Sequence, residues 1–464
     1  MSQMEEQAMS MPVTENKMGN APMLRLIISM SLPAMFSMLV QALYNIVDSY
    51  FVSQVSENAL TAVSLAFPIQ MLMISVAVGT SIGINSFISR KLGEHRQDLA
   101  DSAATHGILL ALFSWVIFAL VGIFGSRFFF QCFTDIPEII DMGTQYISIC
   151  CICSFGVFVE VNLEKTLQAT GNMIYPMLFQ LAGAITNIIL DPIFIFGWLG
   201  LPAMGVAGAA VATVIGQIVA MIFALYVIFA KDHAIKISFR GFKFDWQIVK
   251  SIYAVGLPSI VMQSIGSVMN VCMNAILISF TETAVAVFGV YFKLQSFIFM
   301  PVFGLTHGVM PIMGYNYGAR NRARLMSALK IGGVIALCIM LVGTVVFWVV
   351  PDWLLSIFNA SEHMLEIGVP ALRLISICFV PAALGIIYST LFQAVGKGTY
   401  SLIISVLRQL VVLVPVAFLL SSAGLYYVWF SFPIAEVFSL AASILLFWRL
   451  NRRQIKPLDV PESV

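Results

Sequence analysis

Residues 31–53 read SLPAMFSMLVQALYNIVDSYFVS, and residues 256–278 read GLPSIVMQSIGSVMNVCMNAILI. Each is an apolar run with a proline near its start (Pro33, Pro258) and an asparagine at the same distance beyond it (Asn45, Asn270). A helix needs about 20 such residues to cross roughly 30 Å of hydrocarbon. Either run is long enough, so the chain is read as a membrane protein whose second half repeats its first. The repeat continues outward at one constant offset. Leu32 meets Leu257, Glu57 meets Glu282, Gln70 meets Gln295, Gly79 meets Gly304, Gly83 meets Gly308, Gly93 meets Gly318, and Gln168-Ala169 meets Gln393-Ala394.

Composition agrees with that reading. Of 464 residues 60% are hydrophobic and 10% charged, and the mean hydropathy is +0.95, more apolar surface than a soluble chain of this length can hide. The runs are long and continuous, unlike the short alternating strands of a β-barrel. They predict an all-α membrane protein of twelve transmembrane helices, near 24–52, 59–89, 100–124, 137–161, 172–196, 203–230, 247–280, 284–313, 327–350, 366–390, 398–421 and 424–449. The expected organisation is an N-terminal tail (1–22), an N-lobe of six helices (23–230), a linker (231–246), a C-lobe of six (247–450) and a C-terminal tail (451–464). A repeat of six spans leaves the two bundles in one orientation, related by a pseudo-two-fold axis along the membrane normal, with substrate between them.

Of the 24 Lys and Arg, all but Arg127, Lys293, Arg373 and Arg408 fall in tails and loops on one side. The positive-inside rule then puts both termini in the cytoplasm of a multi-pass cell-membrane protein. These basic loops are read as topology and headgroup attraction, with no nucleic acid. The first apolar run is too long for a signal-peptide core, so no processing is expected. The seven cysteines lack disulfide or zinc spacing and are read as small core residues. No HExxH, GxSxG or P-loop occurs, which argues against an enzyme, and His106 and His307 are read as packed or interfacial.

Acids inside such helices need a reason, because each costs at least about 2.5 kcal/mol in a bilayer. Asp48 shares a helix face with Gln41 and Asn45, beside Tyr44. Asp191 ends a second stripe with Gln180 and Asn187, and Thr213 and Gln217 lie four apart on the next span. Pro192, directly after Asp191, and Pro33 each remove a backbone hydrogen bond and loosen the helix there. The seventh span keeps a neutral stripe of Gln263, Ser267, Asn270 and Asn274. The second half instead carries Lys293, Arg373, Arg408 and Glu436, with Glu436 either neutralising Lys293 or Arg408 or meeting cationic cargo, as Tyr291 could. Glu160, Glu164 and Lys165 are read as snorkelling near the cytoplasmic interface.

Three stretches, SLPAMFSMLVQALYNIVDSYFVS, GNMIYPMLFQLAGAITNIILDPIFIF and PVFGLTHGVMPIMGYNYGARN, resemble the multidrug and toxic compound extrusion (MATE) family, and within it the DinF-like and MepA-like branch. The resemblance implies export of small amphipathic organic cations in exchange for protons or sodium ions, with no cofactor. It also implies an N-lobe ion site at Asp48, Asn187, Asp191 and Thr213, where sodium could bind at the two aspartates, and a bending first helix at Pro33. The family's NorM-like branch has acids in the seventh and tenth helices; here the seventh has none and the tenth carries Arg373, which argues against a C-lobe sodium site. A monomer is expected. The rival readings are a lipid-linked oligosaccharide or lipid flippase of the wider superfamily and an intramembrane enzyme.

Overall fold

The computed structural model describes residues 16–459; the outer parts of the two expected tails, 1–15 and 460–464, lie outside the described residues. Among those described there is no strand, and ten helices can each cross a membrane, or up to twelve if each of two bent pairs is one span. In chain order they are α1 (Met23–Ser53), α2 (Glu57–Gly93), α3 (Gln97–Gln131), the bent α4 (Pro137–Ile152 and Phe155–Ala169), α5 (Ile174–Phe196), α6 (Val206–Ala230), α7 (Trp246–Ile278), α8 (Glu282–Gly318), α9 (Arg322–Val349), the bent α10 (Glu362–Ser376 and Phe379–Ala394), α11 (Gly398–Ser421) and α12 (Leu425–Leu458).

The repeat written in the sequence recurs in the details of these elements. Ser56 accepts from the Ala59 amide to cap α2, and Thr281 accepts from the Ala284 amide to cap α8, each meeting one of the donors that a helix start leaves free. The bends in α4 and α10 measure 45° and 46° and fall at repeat-equivalent places. Some boundaries differ from the expected ones. The fourth helix does not stop at 161 but runs to Ala169, and the sixth starts at Val206 rather than 203, because Gly205, at φ +56, breaks the helical path just before it.

Among the described residues the lobes pack together at the end that carries the basic loops. One apolar core belongs wholly to the N-lobe and part of the linker, while the other joins the C-lobe to the basic-end turns of α1, α2 and α3, through residues such as Leu26, Ile84, Ile88 and Ala100. Close backbone crossings hold this end. A Cβ on Gly83 of α2 would lie 2.2 Å from the Ile252 carbonyl oxygen of α7, and the repeat-equivalent Gly308 of α8 meets Ser31 of α1. The pairing is reciprocal, as a two-fold axis between the lobes demands.

Gly83→Ala and Gly308→Ala should therefore each cost about 1–3 kcal/mol by overpacking and lower the Tm of the purified protein. Gly289→Ala, on α8 with nothing within 4 Å of its Cβ position, should leave the Tm unchanged.

Candidate functional site: two aspartates in the N-lobe

Three helices of the N-lobe converge on the residues singled out in the sequence. α1 carries Gln41, Tyr44, Asn45 and Asp48, with Gln41 Nε2 3.5 Å from Asn45 Oδ1. On α5, Asn187 and Asp191 are 2% and 0% exposed, and Pro192 is buried beside them. α6 contributes Thr213. The Asp48 and Asp191 carboxyls lie within hydrogen-bonding reach of each other, an approach that is favourable when one of them holds a proton.

Asn187 orders this pair. With its amide turned so that both ends are satisfied, Nδ2 donates to Asp191 Oδ2 at 3.0 Å, while Oδ1 accepts from Thr213 Oγ1 at 3.1 Å and from the Thr213 amide at 3.0 Å. The Tyr44 hydroxyl lies close to Thr213 as well. Asp48 Oδ1 and Asp191 Oδ1 remain buried without a partner. The site thus gathers carboxylate, amide and hydroxyl oxygens, and it can hold a proton or a small hard cation. Underneath, Gln70 donates to the Tyr146 hydroxyl at 2.9 Å, a layer that the sequence reading did not identify.

The residues expected to line a cavity divide into two groups. Asn45, Gln263 and Asn274 are exposed, and Gln41, Tyr44 and Asn270 are half-buried. A polar stripe facing lipid would be costly, and the full or partial exposure of Gln263, Asn270 and Asn274 on α7 and of Asn45 on α1 suits residues of a cleft between the lobes. The other three are not cleft residues. Tyr291 is 1% exposed, enclosed by Phe288, Phe347 and Phe432, because α8 turns it into the C-lobe core. Glu436 is buried and takes Arg408 Nη1 at 3.0 Å, so of the two possible basic partners it has Arg408. Gln180 reaches away from Asp191 to Glu164.

The remaining C-lobe cations have structural partners. Lys293 Nζ lies 5.8 Å from the Phe358 ring centre, and Arg373 Nε donates to the Trp348 carbonyl at 3.2 Å near the end of α9. Arg408 sits in a π-helical stretch of α11, Leu407–Leu413, a widened turn that shifts the register of the side chains beyond it.

One constellation contradicts the sequence reading. Glu160, Glu164 and Lys165 do not snorkel; they are 7%, 2% and 4% exposed, because α4 continues two turns past the expected end and carries them inside. Lys165 Nζ donates to Glu164 Oε1 at 2.9 Å and Gln168 Oε1 at 3.0 Å, and lies 3.3 Å from His307 Nδ1 of the C-lobe. Gln168 and Gln180 donate to the two Glu164 oxygens, each at 2.8 Å, and Asn85 Nδ2 donates to the Lys165 carbonyl. The signal was present: Glu160, Glu164 and Gln168 share one helix face and prolong the periodicity of α4. His106 is packed, as read, between Phe242 and Phe244 of the linker. Among the described residues no group of three or more His, Cys, Asp or Glu is placed to hold a metal ion.

Up to six spans built twice, clasped at one end, with a pair of aspartates sunk into one half, define a membrane transporter of the two-lobed kind. The MatE family pattern matches residues 33–193 and again 258–419, one copy in each lobe, and the chain belongs to that family. It is similar to the multidrug export protein MepA of Staphylococcus saprophyticus, 26% identical over 425 residues that cover 91% of this chain and 93% of that one. It is similar likewise to MepA of Staphylococcus aureus, 26% identical over 452 residues, 93% of this chain and 95% of that one. Among solved structures it matches the outward-facing conformation of a multidrug resistance MATE family transporter with a TM-score of 0.89, at 29% identity over 96% of this chain and 98% of that one. A MATE in its bent conformation matches with a TM-score of 0.86, at 29% identity over 94% of this chain and 96% of that one.

The buried charges of α4 give a stability test. Lys165→Met strands the Glu164 carboxylate and should cost about 3–5 kcal/mol, read as a loss of Tm. The double variant E164Q/K165M, which removes both charges, should recover most of that loss.

Proposed function

We propose that this protein is a proton-driven antiporter that exports amphipathic organic cations across the cell membrane, with the Asp48–Asp191 pair as its coupling site. The observation that carries the reading is the close approach of these two carboxyls inside the N-lobe, which favours a proton shared between them. The names of the MepA relatives support multidrug export as the task, and the cleft lining of neutral amides near two acids suits a cation. No cofactor is involved. The chain works as a monomer with both termini in the cytoplasm, so the clasped end is cytoplasmic and the cleft faces outward.

The cycle follows from charge. A proton entering from outside allows Asp48 and Asp191 to bond, drawing α1 toward α5 and narrowing the N-lobe side of the cleft, which expels cargo. Loss of that proton leaves two anions in a medium of low dielectric, where they repel. α1 then moves away from α5 and reopens space for a cation. One charge crossing 100 mV supplies about 2.3 kcal/mol, enough for a gradient of tens-fold. Sodium could use the same oxygens, but two carboxyls this close together, with no third acid grouped with them among the described residues, favour a shared proton.

Efflux of a fluorescent organic cation from proteoliposomes, under separately imposed proton and sodium gradients, tests this. Uphill export should follow the proton gradient and ignore sodium, and the Asp48→Asn, Asp191→Asn double variant should lose uphill export while still binding the cation. Undiminished uphill export by that variant would overturn the proposal.

A further inference from the structure

We propose that Glu160 relays the coupling proton from the Asp48–Asp191 pair toward the cytoplasmic end of the N-lobe. This rests on reading that pair as the proton site. The carboxyl is buried at 7% exposure in mid-lobe, and its Oε1 has no hydrogen-bond partner. A carboxylate that served only to hold helices together would be expected to be paired, as Glu164 is by Lys165, Gln168 and Gln180.

Its position lies along a polar file. α4 and α5 run antiparallel, and Glu164 on α4 takes Gln180 on α5. Glu160, one turn back from Glu164, therefore stands beside the turn of α5 above Gln180, toward Asn187. One further turn back, Gly156 packs on the backbone of Gln217 in α6, and Gln217 is itself one turn from Thr213. At 1.5 Å per residue, Asp191 and Gln180 are about 16 Å apart along α5, too far for one proton transfer. A carboxyl part of the way along divides that gap into shorter steps that short chains of water molecules can bridge.

The charged groups that act on Glu160 are Glu164 and Lys165 on its own helix, and these two are held in turn by Gln180 on α5, Asn85 on α2 and His307 on α8. The buried Gln180 Oε1 is likewise unpartnered. In each step a proton moves and no bond between heavy atoms changes. It leaves the Asp191 carboxyl, passes by way of water to Glu160 Oε1, and goes on to cytoplasmic water when the lobes part and the Lys165–His307 contact opens. Asp191 is left as a carboxylate, and Glu160 returns to one.

Two reactions in proteoliposomes separate a relay from a structural role. Net efflux under a proton gradient requires the proton to cross, whereas exchange of labelled for unlabelled cation across the same membrane does not. Glu160→Gln should lower net efflux about tenfold or more and leave exchange within about twofold of wild type, and Glu160→Asp should recover part of the net rate. Net efflux at the wild-type rate in E160Q overturns the relay, as does an equal loss of both reactions. If E160Q does not fold, the same two rates in E160D decide, with a selective loss of net efflux expected. A wild type that ignores the proton gradient would instead overturn the antiport reading itself, so the two failures are distinguishable.

Discussion

Hydrocarbon offers no hydrogen bonds, and this constraint arranges the polar chemistry of the molecule. A lone charge taken into such a medium costs several kcal/mol or is neutralised, so polar side chains within the spans must find one another. Asp48 and Asp191 come from helices far apart in sequence and lie together, with Asn187 donating to Asp191. The same pressure draws Gln168, Gln180 and Lys165 around Glu164, and Arg408 onto Glu436. Polar groups left without that closure, such as the amides of α7, suit the cleft, where water can serve them.

The two lobes share a frame but not a chemistry. Helix caps, helix bends and glycine crossings recur at equivalent positions, since these set backbone geometry and both lobes need the same geometry to close on a common axis. The charges do not recur. Asp48 corresponds to Met273, Asp191 to Val416, Glu164 to Ser389 and Lys165 to Thr390; Met273 is fully buried. One lobe can therefore respond to an ion while the other supplies a fixed apolar partner, built around Tyr291, Phe288 and Trp429. An ion that acts on one lobe only moves it relative to the other, which alternation requires.

Much of this was legible in the sequence, and the parts that were not have definite causes. Long apolar runs and the constant offset fixed the helices and the repeat, because span length and backbone close approach leave direct marks on residue type. The stripes of α1 and α5 brought out Asp48, Asn187 and Asp191, since a helix places residues three and four apart on one face. Glu160, Glu164 and Lys165 were misplaced because charges at the end of an apolar run read the same whether the helix stops or sinks its last turns into a neighbour. Tyr291 could not be separated from a cleft residue for a related reason. α8 is aromatic and aliphatic all round, so periodicity does not say which side meets a partner helix.

α1 joins these features mechanically. Its basic-end half forms the clasp, with Ser31 under Gly308 and Met35 under Gly304 of α8, and its other half holds Asp48. From Met35 to Asp48 the helix rises about 20 Å, and Pro33, within the clasp, lacks the amide that would brace the turn there. A rigid rod hinged at its weak turn moves most at the far end, where the aspartate lies. Charge repulsion or bonding at Asp48 is therefore applied with the longest lever arm, against a clasp of close backbone contacts. In the proposed cycle, the state of one proton can then set the width of the cleft without first unlocking the closed end.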